Sequence, residues 1–268
     1  HTSYSLAIVS GILMMLFGLF FSYQCLDAIG TPHDILNDAT LYMQLYFLCM
    51  IPGAIYNIGA GILRAVGDSK RPLYYLIVCS IVNVVFDFIF VVIFHQGIAG
   101  AAIATVIAQF VCAILVTIQL MRTNEVYKLT LSKMKFHLPV LKKIIMIGAP
   151  AGIQSTMYSI SNIVLQSHIN AFGTQTIASW SVYVKIDALF WMMIAAIGAA
   201  ITTFSGQNYG AHLHDRIKKG TRTALAMAFI MTISISTILC LTGSYITRLF
   251  SSDPHIIEEC YSLMLFLM

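Results

Sequence analysis

Apolar positions along this chain gather into long unbroken runs, not periodic stripes, and short polar stretches separate the runs. Eight of these runs are long enough to cross a bilayer as helix, which takes about 20 residues: 4–26, 40–63, 73–94, 99–121, 145–169, 177–206, 221–247 and 256 to the end. Period-2 alternation is poor throughout, so a β-barrel is excluded and each backbone must satisfy its polar groups within its own helix. The expected fold class is an all-α membrane protein, a multi-pass helical bundle. One long polar connection, "RTNEVYKLTLSKMKFH" at 122–137, leads into Leu138, Leu141, Ile144 and Ile145 on one helical face, with Lys142 and Lys143 beside it. That pattern predicts an interfacial amphipathic segment joining two bundles. The expected organisation is an amino-terminal lobe at 1–121, a cytoplasmic linker at 122–144 and a carboxyl-terminal lobe at 145–268.

Composition agrees with this reading. The 268 residues are 59% hydrophobic and only 10% charged, with mean hydropathy +0.84, outside the range of water-soluble domains. The net charge of +4 matters through its placement. Arg64, Lys70 and Arg71 fall after the second run, and Arg122, Lys128, Lys133, Lys135, Lys142 and Lys143 after the fourth. Arg216, Lys218, Lys219 and Arg222 fall after the sixth, so thirteen of fifteen cations mark one side, read as cytoplasmic. The 27–38 loop, with Asp27, Asp34 and Asp38, is then external. Arg248 is the one cation in the intervening loops, and Lys185 the one left within a span. This reports topology in the cell membrane and excludes nucleic acid as a partner.

Six cysteines stand singly in or beside apolar runs without C-x-x-C spacing and read as packing residues. His212-x-His214 has no thiol or carboxylate support and reads as a solvated basic loop. No catalytic constellation or resident cofactor is expected. The chain starts at His1 without a signal-peptide pattern and stops within an apolar run, so it is expected to be a piece of a longer protein.

The chain also resembles itself. The first run, its loop with Thr31-Pro32-His33 and Ile35, and the second run match residues 223–268, with Asp253-Pro254-His255 and Ile256, at an offset of about 221 residues. Two six-helix units of this length would be parallel repeats, a transporter architecture. "GAIYNIGAG" and "AGAAIATVIAQ" set Gly and Ala at spacings of three and four, which lets helices approach closely. Pro52 and Pro150 lie within spans, where each marks a bend or a packing site.

Asp87 stands inside "SIVNVVFDFIFVVIF", where an ionised carboxylate costs at least about 2.5–3.5 kcal/mol. Entering from the cytoplasm, it lies about 21 Å along the third helix at 1.5 Å per residue. Thr105, about 9 Å down the descending fourth helix, reaches nearly the same depth in a core about 30 Å thick. Asn83 is one turn from Asp87 on the same face, and Gln109 falls near its level. A carboxylate with amide and hydroxyl oxygens at matched depth suits a hard cation or an exchangeable proton. The competing reading is a hydrogen-bonded brace between helices.

The second bundle has its own polar row, Gln154, Tyr158, Asn162 and Gln166 at every fourth residue, with Ser155 and Ser159 adjacent. Asp187 shares a helical face with Tyr183 and Trp191, while Lys185 points elsewhere. An aromatic, acidic cavity would suit organic cations; packing is the competing role for each residue.

With these residues in place, the sequence resembles the multidrug and toxic compound extrusion (MATE) transporters, with bacterial, DinF-like features. The resemblance rests on "GILRAVGDSKRPLYYLIVCSIVNVVFDFIFV", "GIAGAAIAT", "IGAPAG" and "TTFSGQNYGAHLHDRIKKG", in that order. It implies twelve helices in two six-helix lobes around a central cavity, with this chain running from family helix three into helix ten. It also implies exchange of Na⁺ or H⁺ for organic, usually cationic, compounds. Family residues that bind the coupling cation fall on Asn57, Asn83, Asp87 and Thr105, so any metal would be transient Na⁺ at Asp87; a further Asp on helix one precedes His1. One departure stands out: Tyr158 occupies the position, eight residues after Pro150, where NorM-type and eukaryotic members carry a Glu. This shifts ion coupling toward the amino-terminal lobe.

The expected function is secondary active efflux of organic cations, driven by Na⁺ or H⁺, by a monomer in the lipid bilayer. Its expected ion-coupling residues are Asp87, Asn83, Thr105 and Asn57, with Gln154, Tyr158, Asn162, Asp187 and Trp191 on the substrate path. The alternative is a lipid-linked oligosaccharide flippase of the same superfamily, which would be expected to show a more cationic cavity than one Lys against two Asp in the spans. An intramembrane aspartyl protease is disfavoured, because "AVGDSK" lacks the first glycine of a G-x-G-D element and lies in a loop.

Overall fold

A computed structural model describes residues 1–29, 31, 33–251 and 253–267, except for the side chains of Thr174 and Leu267. Pro32 of the repeat motif, Ser252 and Met268 lie outside the described residues. Among the described residues nine α-helices follow in chain order: α1 (Thr2–Ala28), α2 (His33–Phe47), α3 (Met50–Ala65), α4 (Lys70–Asp87), α5 (Gly97–Arg122), α6 (Leu138–Ala171), α7 (Thr174–Gly210), α8 (His214–Arg248) and α9 (Pro254–Leu267). A π-helical turn, Phe88–Ile93, extends α4, and a short 3₁₀ turn, Leu131–Lys133, interrupts the connection to α6. The chain divides into two compact units, His1–Ile147 and the part from Gly148 onward.

Several expected boundaries move. The second run begins at His33, and its helix breaks at Leu48–Cys49, where the N–H groups bond three residues back to Leu45 and Tyr46 (3.1 and 2.9 Å). Pro52 supplies the reason, since it has no N–H for the Leu48 carbonyl and its ring crowds that oxygen. Pro150, by contrast, sits inside the continuous helix α6. The amphipathic segment at 138–145 is the opening of α6 itself, with no break before the expected span. Helix α8 starts at His214, so Arg216, Lys218, Lys219 and Arg222 lie on its first turns and not in a loop. Arg and Lys are good helix formers, and a helix can extend past the apolar layer with its charges in water.

Six helices among the described residues are long and apolar enough to cross a membrane, with α2 and α3 counted as one span. The chain is a multi-pass integral membrane protein. The two other expected spans fall short for separate reasons. Helix α6 has 34 residues, but its polar row interrupts the apolar run; α9 is described over only 14 residues.

In the first unit α5 packs against α2, α3 and α4. Its inner face is an unbroken row at every fourth residue: Gly100, Ala104, Ala108, Cys112, Val116 and Leu120, all buried. Tyr4 of α1, Tyr56, Ala60 and Leu63 of α3, Cys79 of α4 and Leu129 share this core. Lipid tails are as apolar as these side chains, so association depends on close packing and not on water exclusion. Two glycines of α1 seat the broken second span. A Cβ on Gly11 would come within 2.8 Å of the Ile51 backbone, and one on Gly18 would overlap the Phe47 ring. In the second unit, Val182, Tyr183 and Ile186 of α7 pack with Leu239 of α8 and with Cys260 and Met264 of α9. No described residue of α6 is buried.

Candidate functional site

Asp87 is the last residue of α4, and the wider π turn begins immediately after it. In that turn the Phe94 N–H reaches the Ile89 carbonyl five residues back at 3.0 Å. Such turns accommodate one extra residue and are frequent at functional sites. The turn rests on the start of α5, where a Cβ on Gly100 would lie 2.9 Å from the Phe90 Cβ. One turn before Asp87, the Asn83 side-chain amide donates to the Thr105 hydroxyl (3.4 Å), which itself donates to the Ala101 carbonyl (3.0 Å).

The Oδ1 atom of Asp87 is buried and has no hydrogen-bond partner among the described residues. A buried acceptor without a donor costs about 1–3 kcal/mol, and more if charged. A proton or a cation is the chemistry that would relieve it. Structure thus joins Asn83 to Thr105 and places Asp87 on the same α4 face. No hydrogen bond joins Asn57 to this pair among the described residues; that residue is exposed and lines a cleft of about 470 Å³ with Ser10, Tyr46, Cys49 and Gln109, the last one turn beyond Thr105 on α5.

In the second unit the α6 row of Gln154, Tyr158, Asn162 and Gln166 is exposed along its length, and Gln166 donates to Asn170 at 2.8 Å. Asp187 is half-buried, and Trp191 follows it one turn on along α7. Tyr183, buried at 6% exposure, lies close enough to Asp187 and Tyr158 to interact electrostatically with each. No hydrogen bond or ion pair joins the α6 row to Asp187 or Trp191 among the described residues.

Sequence reasoning missed Glu259. On α9 its carboxylate accepts from the Thr176 hydroxyl (2.8 Å) and from Ser179 (2.9 Å), a fully buried residue of α7. Beside Glu258 at the start of an apolar run it reads as a solvated helix end, and only the packing of α9 on α7 brings its partners to it. His212 adopts φ 57° in the turn before α8, and the His214 ring meets Tyr209 edge-on.

The MatE family profile matches residues 1–89 and 150–268. Among curated relatives, the probable multidrug resistance protein YpnP of Bacillus subtilis (strain 168) is 27% identical over 88% of this chain and 53% of its own length. The multidrug export protein MepA of Staphylococcus aureus (strain NCTC 8325 / PS 47) is 23% identical over 94% of this chain and 55% of its own. The chain therefore spans about half the length of these relatives. A solved structure described as an outward-facing multidrug resistance MATE family transporter of the MOP superfamily superposes with TM-score 0.89 at 23% identity, covering 98% of this chain and 59% of that one. A MOP superfamily transporter from Pyrococcus furiosus also gives 0.89, at 22% identity, covering 98% and 60%. With fold and profile in agreement over most of its length, this chain belongs to the MatE family.

Proposed function

We propose that the full-length protein is a secondary active efflux transporter that exchanges Na⁺ or H⁺ for organic cations by alternating access. In this reading 1–121 belongs to the amino-terminal lobe, 122–144 is a cytoplasmic linker, 145–268 belongs to the carboxyl-terminal lobe, and the working unit is a monomer. The multidrug relatives support the transport class. The observation that carries ion coupling is the unpartnered Asp87 Oδ1 beside the Asn83–Thr105 pair. Hard cations take carboxylate, carbonyl and hydroxyl oxygens, and a proton would instead make Asp87 a neutral donor. Either ion removes the cost of the bare carboxylate and so favours the conformation that holds it. A conformational change that exposes Asp87 to the other side releases the ion there. Asn57, which lines a cleft with Gln109, is assigned with Asp87, Asn83 and Thr105 to ion coupling.

On the other side of the exchange, Asp187 and Trp191 supply a carboxylate and an aromatic face for a cation, with Gln154, Tyr158 and Asn162 adding polar contacts. The test is gradient-driven uptake of a cationic dye by inside-out proteoliposomes holding the full-length protein, with Na⁺ and H⁺ gradients imposed separately. Asp87→Asn is expected to abolish uptake under the gradient that drives the unsubstituted protein. Full activity in that variant would return Asp87 to the role of a helix brace.

A further inference from the structure

The end of α7 and the start of α8 enclose a groove of about 560 Å³, within the range of ligand sites (about 300–1,000 Å³). On α7 the lining is Ile197, Ala200, Ile201 and Phe204; on α8 it is Gly220, Thr223, Ala224 and Met227. Both sets recur at spacings of three and four, so each is one continuous helical face. Phe204 lies directly against Gly220, where an added Cβ would overlap its ring.

At the α8 end of this apolar slot stand Arg216 and Lys219, three residues apart, exposed and lining the same groove. Neither pairs with a carboxylate among the described residues; the nearby Asp215 is 4.0 Å from Lys218. Both helices are membrane spans by length and hydropathy, so the slot runs into the apolar layer and its cations sit at the helix ends. We propose that this groove binds one anionic phospholipid, with an acyl chain along the α7–α8 slot and the phosphate between Arg216 and Lys219. Apolar walls alone would accept any chain. Two uncompensated cations at the mouth select a negative headgroup, and the Lys- and Arg-rich side is the one whose leaflet carries anionic lipid.

The test uses the full-length protein in mild detergent, with native mass spectrometry after addition of equal phosphatidylglycerol and phosphatidylcholine. Preferential retention of phosphatidylglycerol is expected. Arg216→Gln with Lys219→Gln should lower it about 30-fold, or about 2 kcal/mol at 1.4 kcal/mol per tenfold. The control pair Lys142→Gln with Lys143→Gln should leave it unchanged. Ala200→Trp, which fills the slot from an exposed position, should also lower retention without lowering the melting temperature in phosphatidylcholine. Equal loss in the control pair would overturn the site, as would unchanged retention in the groove variants. Displacement of the lipid by inorganic phosphate would show a soluble-anion site instead. Destabilisation by Ala200→Trp with lipid retention intact would show that another part of the longer protein fills the groove.

Discussion

One oxygen of Asp87 is buried without a donor among the described residues, while the Asn83 amide one turn earlier on α4 donates to Thr105. Asp87→Asn keeps the shape and deletes a charge that costs at least about 2.5–3.5 kcal/mol at membrane depth. Its melting temperature is therefore expected to equal or exceed that of the unsubstituted protein even as ion-driven transport disappears. Differential scanning fluorimetry beside the transport assay checks this, and a large loss of stability would point to a brace. Tyr158 is 57% exposed, and Tyr158→Phe removes only a hydroxyl. It is expected to keep most of the transport, measured in the same proteoliposomes. Glu259 presents the opposite case, a carboxylate with both oxygens served. Ser179→Ala leaves Oε2 without its donor and is expected to destabilise the second unit by about 1–3 kcal/mol, read from denaturation in detergent.

The central row of α5 works because its residues are small where α3 and α4 approach. Gly59 of α3 faces Val116, and an added Cβ would lie 2.7 Å from Val116 Cγ2. Both positions are buried, so the neighbour has little room to yield. Gly59→Ala is expected to destabilise the first unit by about 1–3 kcal/mol through overpacking. Adding Val116→Ala should recover part of that loss, because the two side chains compete for one space. A double-mutant cycle measures this coupling, and strict additivity would mean that the contact does not limit the packing. The same scale explains the break between α2 and α3: Pro52 marks it in the sequence, but the α1 glycines that receive Phe47 and Ile51 decide how the broken span is held.

Along the chain the cations crowd toward alternate helix ends, and among the described residues α3, α4, α5 and α8 carry them on their first or last turns. A single cysteine introduced at residue 34 is expected to react with an impermeant maleimide from outside intact cells. One at residue 133 is expected to react only after permeabilisation. The reverse pattern would invert the topology, and with it the leaflet assigned to Arg216 and Lys219.

Hydropathy and charge order determined that this chain is a helical membrane protein, where most of its spans lie and which acid is expensive to bury. Those properties depend on a segment's own transfer free energy between water and lipid, which needs no partner. The quoted motifs also carried the family resemblance, since they occur in order along the chain. Tertiary structure alone decided what Asp87 and Glu259 meet. A π turn arises where neighbouring packing favours a wider turn, here against Gly100, and no residue type announces it. The Thr176 and Ser179 hydroxyls reach Glu259 across about 80 residues of chain, and the α7–α8 groove exists only where two helical faces meet. Hydrogen-bond satisfaction and shape belong to pairs of elements, so they became visible only when the helices were placed together.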